Sequence, residues 1–260
     1  MICLVKFVPK VDDFKYDDER NVLIRDGVPL IINPDDACAL EFALQTKDRD
    51  ANVQVEVVCM GPLSLQNRLE DLVRRGADKA ILISDKKYVG SDSYATAKIL
   101  SAYLVKQSYN LILSGSQTLD GDTGHIGPQV AELLGLSQCS NIIQVERLDA
   151  AEAVIKVDDD DKVLTLGIRV PALLSISKDS KYKLRFTKAV DKDKDVSEQV
   201  FTVNNSELGL DASVIGLKGS PTQVKKTFIV ERKPKRAQVV ACDDDGIEKV
   251  YDFLKAKGVV

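Results

Sequence analysis

The chain has 260 residues, of which 44% are apolar and 29% charged, a globular composition far from that of a disordered chain. Its formal net charge of −4 argues against a broadly basic nucleic-acid binder. No apolar run approaches the ~18 residues of a transmembrane helix, so no membrane insertion is expected. The length suits one large domain, or one domain with a smaller appendage. Cys3, Cys38, Cys59, Cys139 and Cys242 are scattered and form no C-x-x-C pair. That spacing argues against a zinc site, an iron–sulfur cluster on this chain and a disulfide framework. His125 is the single histidine, so metal sites needing two imidazoles are ruled out.

Ile2–Val8 is a short apolar run with one lysine, the pattern of a strand buried on both faces. It lacks a basic n-region and a small-residue cleavage site, and reads as the start of a mature cytoplasmic protein. Asn33-Pro34-Asp35-Asp36 then opens a helix, with proline in the first turn and carboxylates at the positive end of the dipole. Val53–Met60 is a second strand ending at Gly61-Pro62. Leu63–Arg75 is a helix with Leu65, Leu69, Leu72 and Val73 at helical spacing, closed by Gly76. Lys79–Ile83 is a third strand. Ser91-Asp92 caps a helix to about Gln107 whose packing surface is Tyr94, Ala97, Ile99, Leu100 and Leu104. Leu111–Ser114 is a fourth strand, followed by a glycine-rich loop and a helix from about Ile126 to Leu134. Strands follow at Ile142–Glu146, Ala153–Val157, Val163–Gly167 and Ala172–Ser177, with a hairpin tip at Asp158–Lys162. A final helix spans Asp245–Lys257.

This alternation predicts an α/β fold: an open, mostly parallel sheet with helices on both faces, plus a β-rich segment and an extended C-terminal arm. Residues 1–190 are expected to form the nucleotide-binding α/β domain and 191–260 the arm. The stretch from residue 205 onward shows no core of its own. Val214, Ile215, Phe228, Ile229 and Phe253 are therefore expected to be buried against a partner.

The chemistry concentrates in Ser114–Pro128, which follows a parallel strand and precedes a helix, at the carboxyl edge where such sheets bind ligands. Gly115, Gly121 and Gly124 let backbone N–H groups approach an anion. Ser116, Thr118 and Thr123 add hydroxyls, and the helix N-terminus adds its partial positive charge. This composition fits a phosphate cradle, or equally a strand–helix turn capped by Asp122 or Thr123 with Pro128 near its start. Asp120 and Asp122 read either as caps or as an acid/base pair. His125 is either a phosphate contact or a first-turn residue. No G-x-G-x-x-G follows the first strand and no G-x-x-x-x-G-K-[ST] occurs, which removes the standard dinucleotide fold and the P-loop hydrolases. The end of the first strand (Lys6, Phe7, Val8), the end of the second (Cys59, Met60, Gly61) and Asn33–Asp36 converge on the same edge. Together they offer an apolar slot for a purine or flavin ring. Lys6 is either a crevice residue or a snorkelling strand lysine. Cys3 and Cys59 lie in apolar runs and read as packing residues.

The ordered set Ile2–Pro9, Asp26-Gly27-Val28 leading to Asn33-Pro34, Met60-Gly61-Pro62, Arg75-Gly76-Ala77-Asp78, Gly115-x-Gln117-x-x-Asp120-x-Asp122, Gly127, Pro171-Ala172 and Leu208–Asp211 resembles the beta subunit of electron-transfer flavoproteins. The resemblance spans nearly the whole chain. It implies an adenine-nucleotide-binding, Rossmann-like domain paired with an alpha subunit carrying its own FAD. The nucleotide of the beta subunit would lie against Leu4, Asn33, Pro34, Asp35, Asp36, Met60 and the run Gly115, Ser116, Gln117, Thr118, Asp120, Gly121, Asp122, Thr123, Gly124, His125 and Ile126. That nucleotide is AMP, a structural ligand, in plain carriers. It is a second FAD in the electron-bifurcating branch, where it takes a hydride from NADH and serves ferredoxin and a partner flavin-dependent dehydrogenase. Asp26–Ala37 and Gly219-Ser220-Pro221-Thr222 are similar to the bifurcating branch. Two stretches depart from it: Lys10 stands where an aspartate is common, with aspartates delayed to Asp12 and Asp13, and the loop expected to dock the dehydrogenase reads Lys178–Lys188. A separate class, stand-alone nucleotide-binding stress proteins or ATP-dependent ligases of related topology, requires Ser-Gly-Gly-x-Asp-Ser or Gly-x-x-Gly…Gly-Ser turns, and neither occurs.

Overall fold

In a computed structural model the described residues are 1–10, 15–17, 22–24, 29–222 and 238–260. The chain divides into one compact unit over residues 1–224 and a second over 225–260.

The first strand is shorter than its apolar run. Strand β1 (Ile2–Val5) is buried along its length, and the chain then breaks at Lys6. The Lys6 N–H donates to Asp36 Oδ2 at 2.8 Å instead of extending a ladder. Strand β2 (Phe7–Pro9) leaves the main sheet and pairs antiparallel with β5 (Leu30–Ile32). Two further three-residue strands, β3 (Lys15–Asp17) and β4 (Val22–Ile24), pair with each other. Helix α1 (Pro34–Arg49) starts at the Asn33-Pro34 signal, with proline at its first position. It leads to β6 (Glu56–Met60), α2 (Gln66–Arg74), β7 (Lys79–Ile83), α3 (Ser93–Leu104), β8 (Leu111–Gly115) and α4 (Ile126–Leu134). Strands β9 (Ser137–Leu148), β10 (Glu152–Asp159), β11 (Lys162–Arg169) and β12 (Ala172–Ile176) follow, then β13 (Val200–Val203), the one-turn α5 (Asn205–Leu208) and, in the second unit, α6 (Asp244–Ala256).

The main sheet has nine strands in the order β11-β10-β9-β12-β8-β1-β6-β7-β13. All pairings from β9 to β13 along that order are parallel, and β9–β10–β11 form an antiparallel extension. The order runs outward from β1 through β6 and β7, and then from β1 the other way through β8 and β12. The direction of winding therefore reverses between β1 and β8.

Alternating side chains divide the core between the two faces. Cys3, Val57, Cys59 and Leu82 pack with Leu40, Leu44, Leu69 and Leu72 of α1 and α2. Leu4, Val58, Ile81 and Ile83 pack with Ile99, Leu100, Leu104 and Val130 of α3 and α4. Tyr94 is not part of that surface: it is partly exposed, with Lys98 Nζ 4.5 Å above its ring. The inward aromatic is Tyr103, whose hydroxyl donates to Glu56 Oε1 at 2.7 Å.

Strand β13 pairs with β7, and Ile215, 2% exposed, enters the α3/α4 core with Val214 beside it. Both residues are thus covered by their own chain. In the second unit Phe253 is exposed and α6 is capped by Asp243, whose side chain accepts the Gly246 N–H. Phe228, Ile229, Asp12, Asp13 and Asp26–Val28 lie outside the described residues. Among the described residues no helix is long and apolar enough to cross a membrane.

Candidate functional site

A cavity of about 320 Å³ opens at the carboxyl ends of β1, β6 and β8, beside the reversal point. Its apolar wall is Leu4, Val58, Met60, Leu100 and Ile126, and its polar end is the first turn of α3 with Ser91, Asp92, Ser93 and Thr96. The remaining wall is the loop from Gly115 to His125. The first turns of α3 and α4 therefore face one space, which favours a negatively charged group between them.

The loop is held rigidly at its base. Asn33, fully buried, donates from Nδ2 to Gln117 O at 2.7 Å and accepts the Leu119 N–H on Oδ1 at 3.2 Å. The Ser116 hydroxyl donates to Ser175 O at 3.1 Å and accepts the Asn141 N–H at 3.0 Å, while the Ser116 N–H donates to Ile176 O at 3.0 Å. The Asp122 N–H closes a turn onto Thr118 O at 2.8 Å. The N–H groups of Gly121, Thr123 and Gly124 make no hydrogen bond among the described residues. These three donors are available to a ligand. Gly124 adopts φ +62°, a left-handed conformation that glycine takes without strain.

Gly115 has a different role from the other two glycines. Its N–H donates to Asp36 Oδ1 at 2.8 Å and so is engaged inside the protein. A Cβ there would overlap Asp36 Oδ1 and come within 2.6 Å of Asp35 Cβ. The residue lets α1 approach β8. At Gly61 a Cβ would meet only the end of the Leu65 side chain, with Cδ1 at 2.5 Å.

The two aspartates of α1 do not cap their own helix. Asp36 Oδ1 and Oδ2 accept the Gly115 and Lys6 N–H groups, which ties β1, β8 and α1 together below the cavity. Burial pushes its carboxyl up to about 7, against the pull of those two donors. Asp35 accepts the Lys178 N–H at 3.2 Å, and burial raises its carboxyl above the usual range. Lys6 reaches across the mouth and pairs with Asp120, Nζ to Oδ2 2.7 Å and to Oδ1 2.9 Å. Burial works against ionisation of Asp120, and the Lys6 ammonium outweighs it, holding the carboxyl below its usual range. Lys6 is thus already neutralised, and any anion in the cavity would be held by N–H dipoles more than by free cations.

Of the residues singled out in the sequence, Leu4, Lys6, Asp36, Met60, Gly115–Thr118, Gly121 and Thr123–Ile126 line the cavity. Asn33, Asp35 and Asp120 support it from outside through the bonds above. Pro34 belongs to the first turn of α1. Phe7 lies elsewhere, under the Arg68 guanidinium at 5.9 Å, and Val8 and Cys59 are fully buried. Asp122 is exposed at φ +48°. Helix α4 begins at Ile126 after His125, with no side-chain cap, so neither Asp122 nor Thr123 caps it and Pro128 is its third residue. Ser91–Thr96 stands in the sequence as a helix cap only. The usable signal was topological, because a helix following a parallel strand starts at the sheet's carboxyl edge.

A second feature stands away from the cavity. Arg185 fixes the loop at 178–188 against α1, with its Nε and Nη2 3.1 and 3.0 Å from the two oxygens of the buried Glu41 carboxylate, and Nη2 2.8 Å from Asp48. The next residue, Phe186, is 89% exposed.

The family model described as the electron transfer flavoprotein domain matches residues 20–206. The chain is 36% identical to the electron transfer flavoprotein subunit beta of Clostridium acetobutylicum, over 90% of its own length and 88% of that protein's. The chain belongs to the electron transfer flavoprotein family, as a beta subunit. It is also 34% identical to the caffeyl-CoA reductase-Etf complex subunit CarD of Acetobacterium woodii, over 88% of this chain and 86% of that one. A third relative is the acryloyl-CoA reductase electron transfer subunit gamma of Anaerotignum propionicum, 30% identical over 98% of both chains. The family is flavin-associated, and its beta subunits pair with an alpha subunit. The nine-stranded, mostly parallel sheet is the fold expected of such a beta subunit.

Proposed function

We propose that this electron transfer flavoprotein beta subunit holds an adenine nucleotide in the cavity at the β1/β8 reversal, and that the nucleotide is FAD of the electron-bifurcating kind. The observation that carries the nucleotide reading is the set of three unengaged N–H donors at Gly121, Thr123 and Gly124, beside two helix N-termini. In this reading they hold phosphate, Leu4, Val58, Leu100 and Ile126 cover an aromatic ring, and Lys6–Asp120 borders the mouth. FAD held there would supply hydride acceptance from NADH and one-electron transfer to ferredoxin and to the FAD of the alpha subunit. The chain's own residues bind, orient and screen. The names of two relatives, subunits of caffeyl-CoA and acryloyl-CoA reductase systems, support a place beside a flavin-dependent dehydrogenase.

Two surfaces serve the partners in this reading. The loop at 178–188 with exposed Phe186 docks the dehydrogenase. The C-terminal arm, expected from 191, narrows to 225–260, because β13 and Ile215 belong to the sheet unit, and it packs on the alpha subunit. The complex works in the cytoplasm, where NADH and ferredoxin meet. A second reading has a specific observation in its favour: about 320 Å³ lies at the small end of ligand pockets, which supports a mononucleotide, AMP, as a structural ligand. Stopped-flow spectra of the complex with NADH separate the two. Direct bleaching of a beta-subunit flavin is the expected result, and a flavin there that NADH leaves oxidised overturns the bifurcating assignment.

A further inference from the structure

The first turn of α3 forms one end of the cavity, and a segment more than a hundred residues away fastens it. The Ser220 hydroxyl, in a residue only 6% exposed, accepts the Asp92 N–H at 2.8 Å and donates to Gly216 O at 2.7 Å, with Gly90 O at 3.2 Å. Asp92 accepts the Ala95 N–H at 3.0 Å on one oxygen and the Thr222 N–H at 2.8 Å on the other. The Ser91 hydroxyl accepts the Gly216 N–H at 3.1 Å and donates to Tyr88 O at 2.7 Å. The segment is itself immobilised: Gly216 sits at φ +61°, where a Cβ would overlap Lys87 O, and Ile215 is anchored in the α3/α4 core. Neither Ser220 nor Thr222 lines the cavity, whereas Ser91, Asp92, Ser93 and Thr96 do.

We propose that Ser220, together with Thr222, is a positioning residue for the bound nucleotide, acting through the first turn of α3. This rests on the nucleotide reading of the cavity. A helix end can present its N–H groups and hydroxyls to a ligand only if the turn is held in one orientation. Here the residue at that end, Asp92, has its own N–H, its cap bond and its second carboxylate oxygen all committed. Two of those three bonds come from residues 220 and 222. Without the Ser220 hydroxyl, the Asp92 N–H and Gly216 O lose a shared buried partner, and the turn gains freedom on the side that faces the ligand.

The test uses the full-length chain, purified with its alpha subunit, stripped of nucleotide and resupplied with one equivalent of FAD for the alpha subunit, then titrated separately with FAD and AMP. Ser220→Ala should weaken whichever nucleotide the wild type binds by about tenfold, the size of one lost buried hydrogen bond. Ser220→Thr, which keeps the hydroxyl, should stay within about threefold. In a Thr96→Ala background Ser220→Ala should add less than about threefold, because the α3 contact it supports is already weakened. Thr222→Pro removes the same segment's N–H and hydroxyl from Asp92 at an exposed position. It should weaken binding several-fold, and it carries the test if Ser220→Ala does not fold. Wild-type affinity in Ser220→Ala and Thr222→Pro, or an equal loss in both Thr96 backgrounds, overturns the proposal alone. A wild-type complex that binds neither nucleotide beyond the FAD of its alpha subunit refutes the cavity reading itself, and the proposal with it.

Discussion

Gly115→Ala tests the joint beneath the cavity. The added Cβ would overlap Asp36 Oδ1 and lie 2.6 Å from Asp35 Cβ and 2.7 Å from Asp36 N. Carbon atoms pack at about 3.5–4.0 Å, so relief requires a displacement of roughly 1 Å. Two of the three obstructing atoms are fixed by the first turn of α1, and one is backbone, so a rotamer change cannot supply it. Overpacking of this kind costs about 1–3 kcal/mol. The shift also stretches the Gly115 N–H to Asp36 bond, and a hydrogen bond to an ionised group contributes about 1.5–3 kcal/mol. The expected loss is about 2.5–6 kcal/mol, against a total stability of about 5–15 kcal/mol for a typical domain. Equilibrium urea unfolding above pH 7, followed by far-ultraviolet circular dichroism because the chain has no tryptophan, reads it as a lowered midpoint. Gly121→Ala is the control: its Cβ would meet only Thr118 Oγ1 at 3.6 Å, so stability should stay within about 0.5 kcal/mol. A Gly115→Ala chain as stable as the wild type would refute the packing of α1 on β8 described above.

Gly124→Val should release nucleotide while leaving the sheet folded. The position is left-handed at φ +62°, which costs a β-branched residue about 1–2 kcal/mol, and the side chain would sit beside the unengaged donors; full ligand stoichiometry would show that the cradle lies elsewhere. For Asp36 the sign follows from a folded-state carboxyl raised to about 7 by burial. The folded chain then holds a proton that the unfolded chain gives up near 4, so this contribution is complete below about pH 4 and is lost as pH rises through 7. Denaturation curves from pH 4 to 8 should show that decline, and Asp36→Asn should flatten it; an identical slope in both would remove Asp36 as its source. Asp120→Asn leaves the Lys6 ammonium uncompensated at the cavity mouth and should raise the reduction potential of a flavin bound there. Lys6→Met leaves the Asp120 carboxylate uncompensated there and should lower it. Redox titration checks the opposite signs, and shifts of the same sign would contradict the pairing of Lys6 with Asp120.

The parallel sheet and its helices were legible because local signals agreed with the global pattern. Asn33-Pro34 starts α1, Gly76 closes α2 at φ +126°, and Asp92 caps α3 as its sequence position implied. What could not be read depends on distant partners. Nothing in Ile2–Val8 marks a break at Lys6, because the break is made by Asp36 taking its N–H from 30 residues away. Tyr94 fits the apolar spacing of α3, but it lies on the first exposed turn, and Tyr103 is buried instead because Glu56 accepts its hydroxyl. Strand β9 extends beyond its apolar stretch because ladder bonds to β10 and β12 carry its polar residues. The site was legible as a loop, since glycines and hydroxyls between a strand and a helix name a chemistry. The division of labour within it was not: among the described residues the Gly121 and Gly124 N–H groups have no partner, whereas Gly115 is engaged in packing. The contribution of α3, and of Ser220 behind it, required the fold.

The nucleotide in the cavity is the most direct test of the account. The complex of this chain with its alpha subunit is purified, denatured, and the released nucleotides are separated by chromatography and counted by absorbance. The expected result is two FAD per heterodimer, one of them lost in Gly124→Val. One FAD with one AMP would contradict the bifurcating reading and leave the cavity a structural nucleotide site. One FAD with no second nucleotide would contradict the central claim that this cavity binds one.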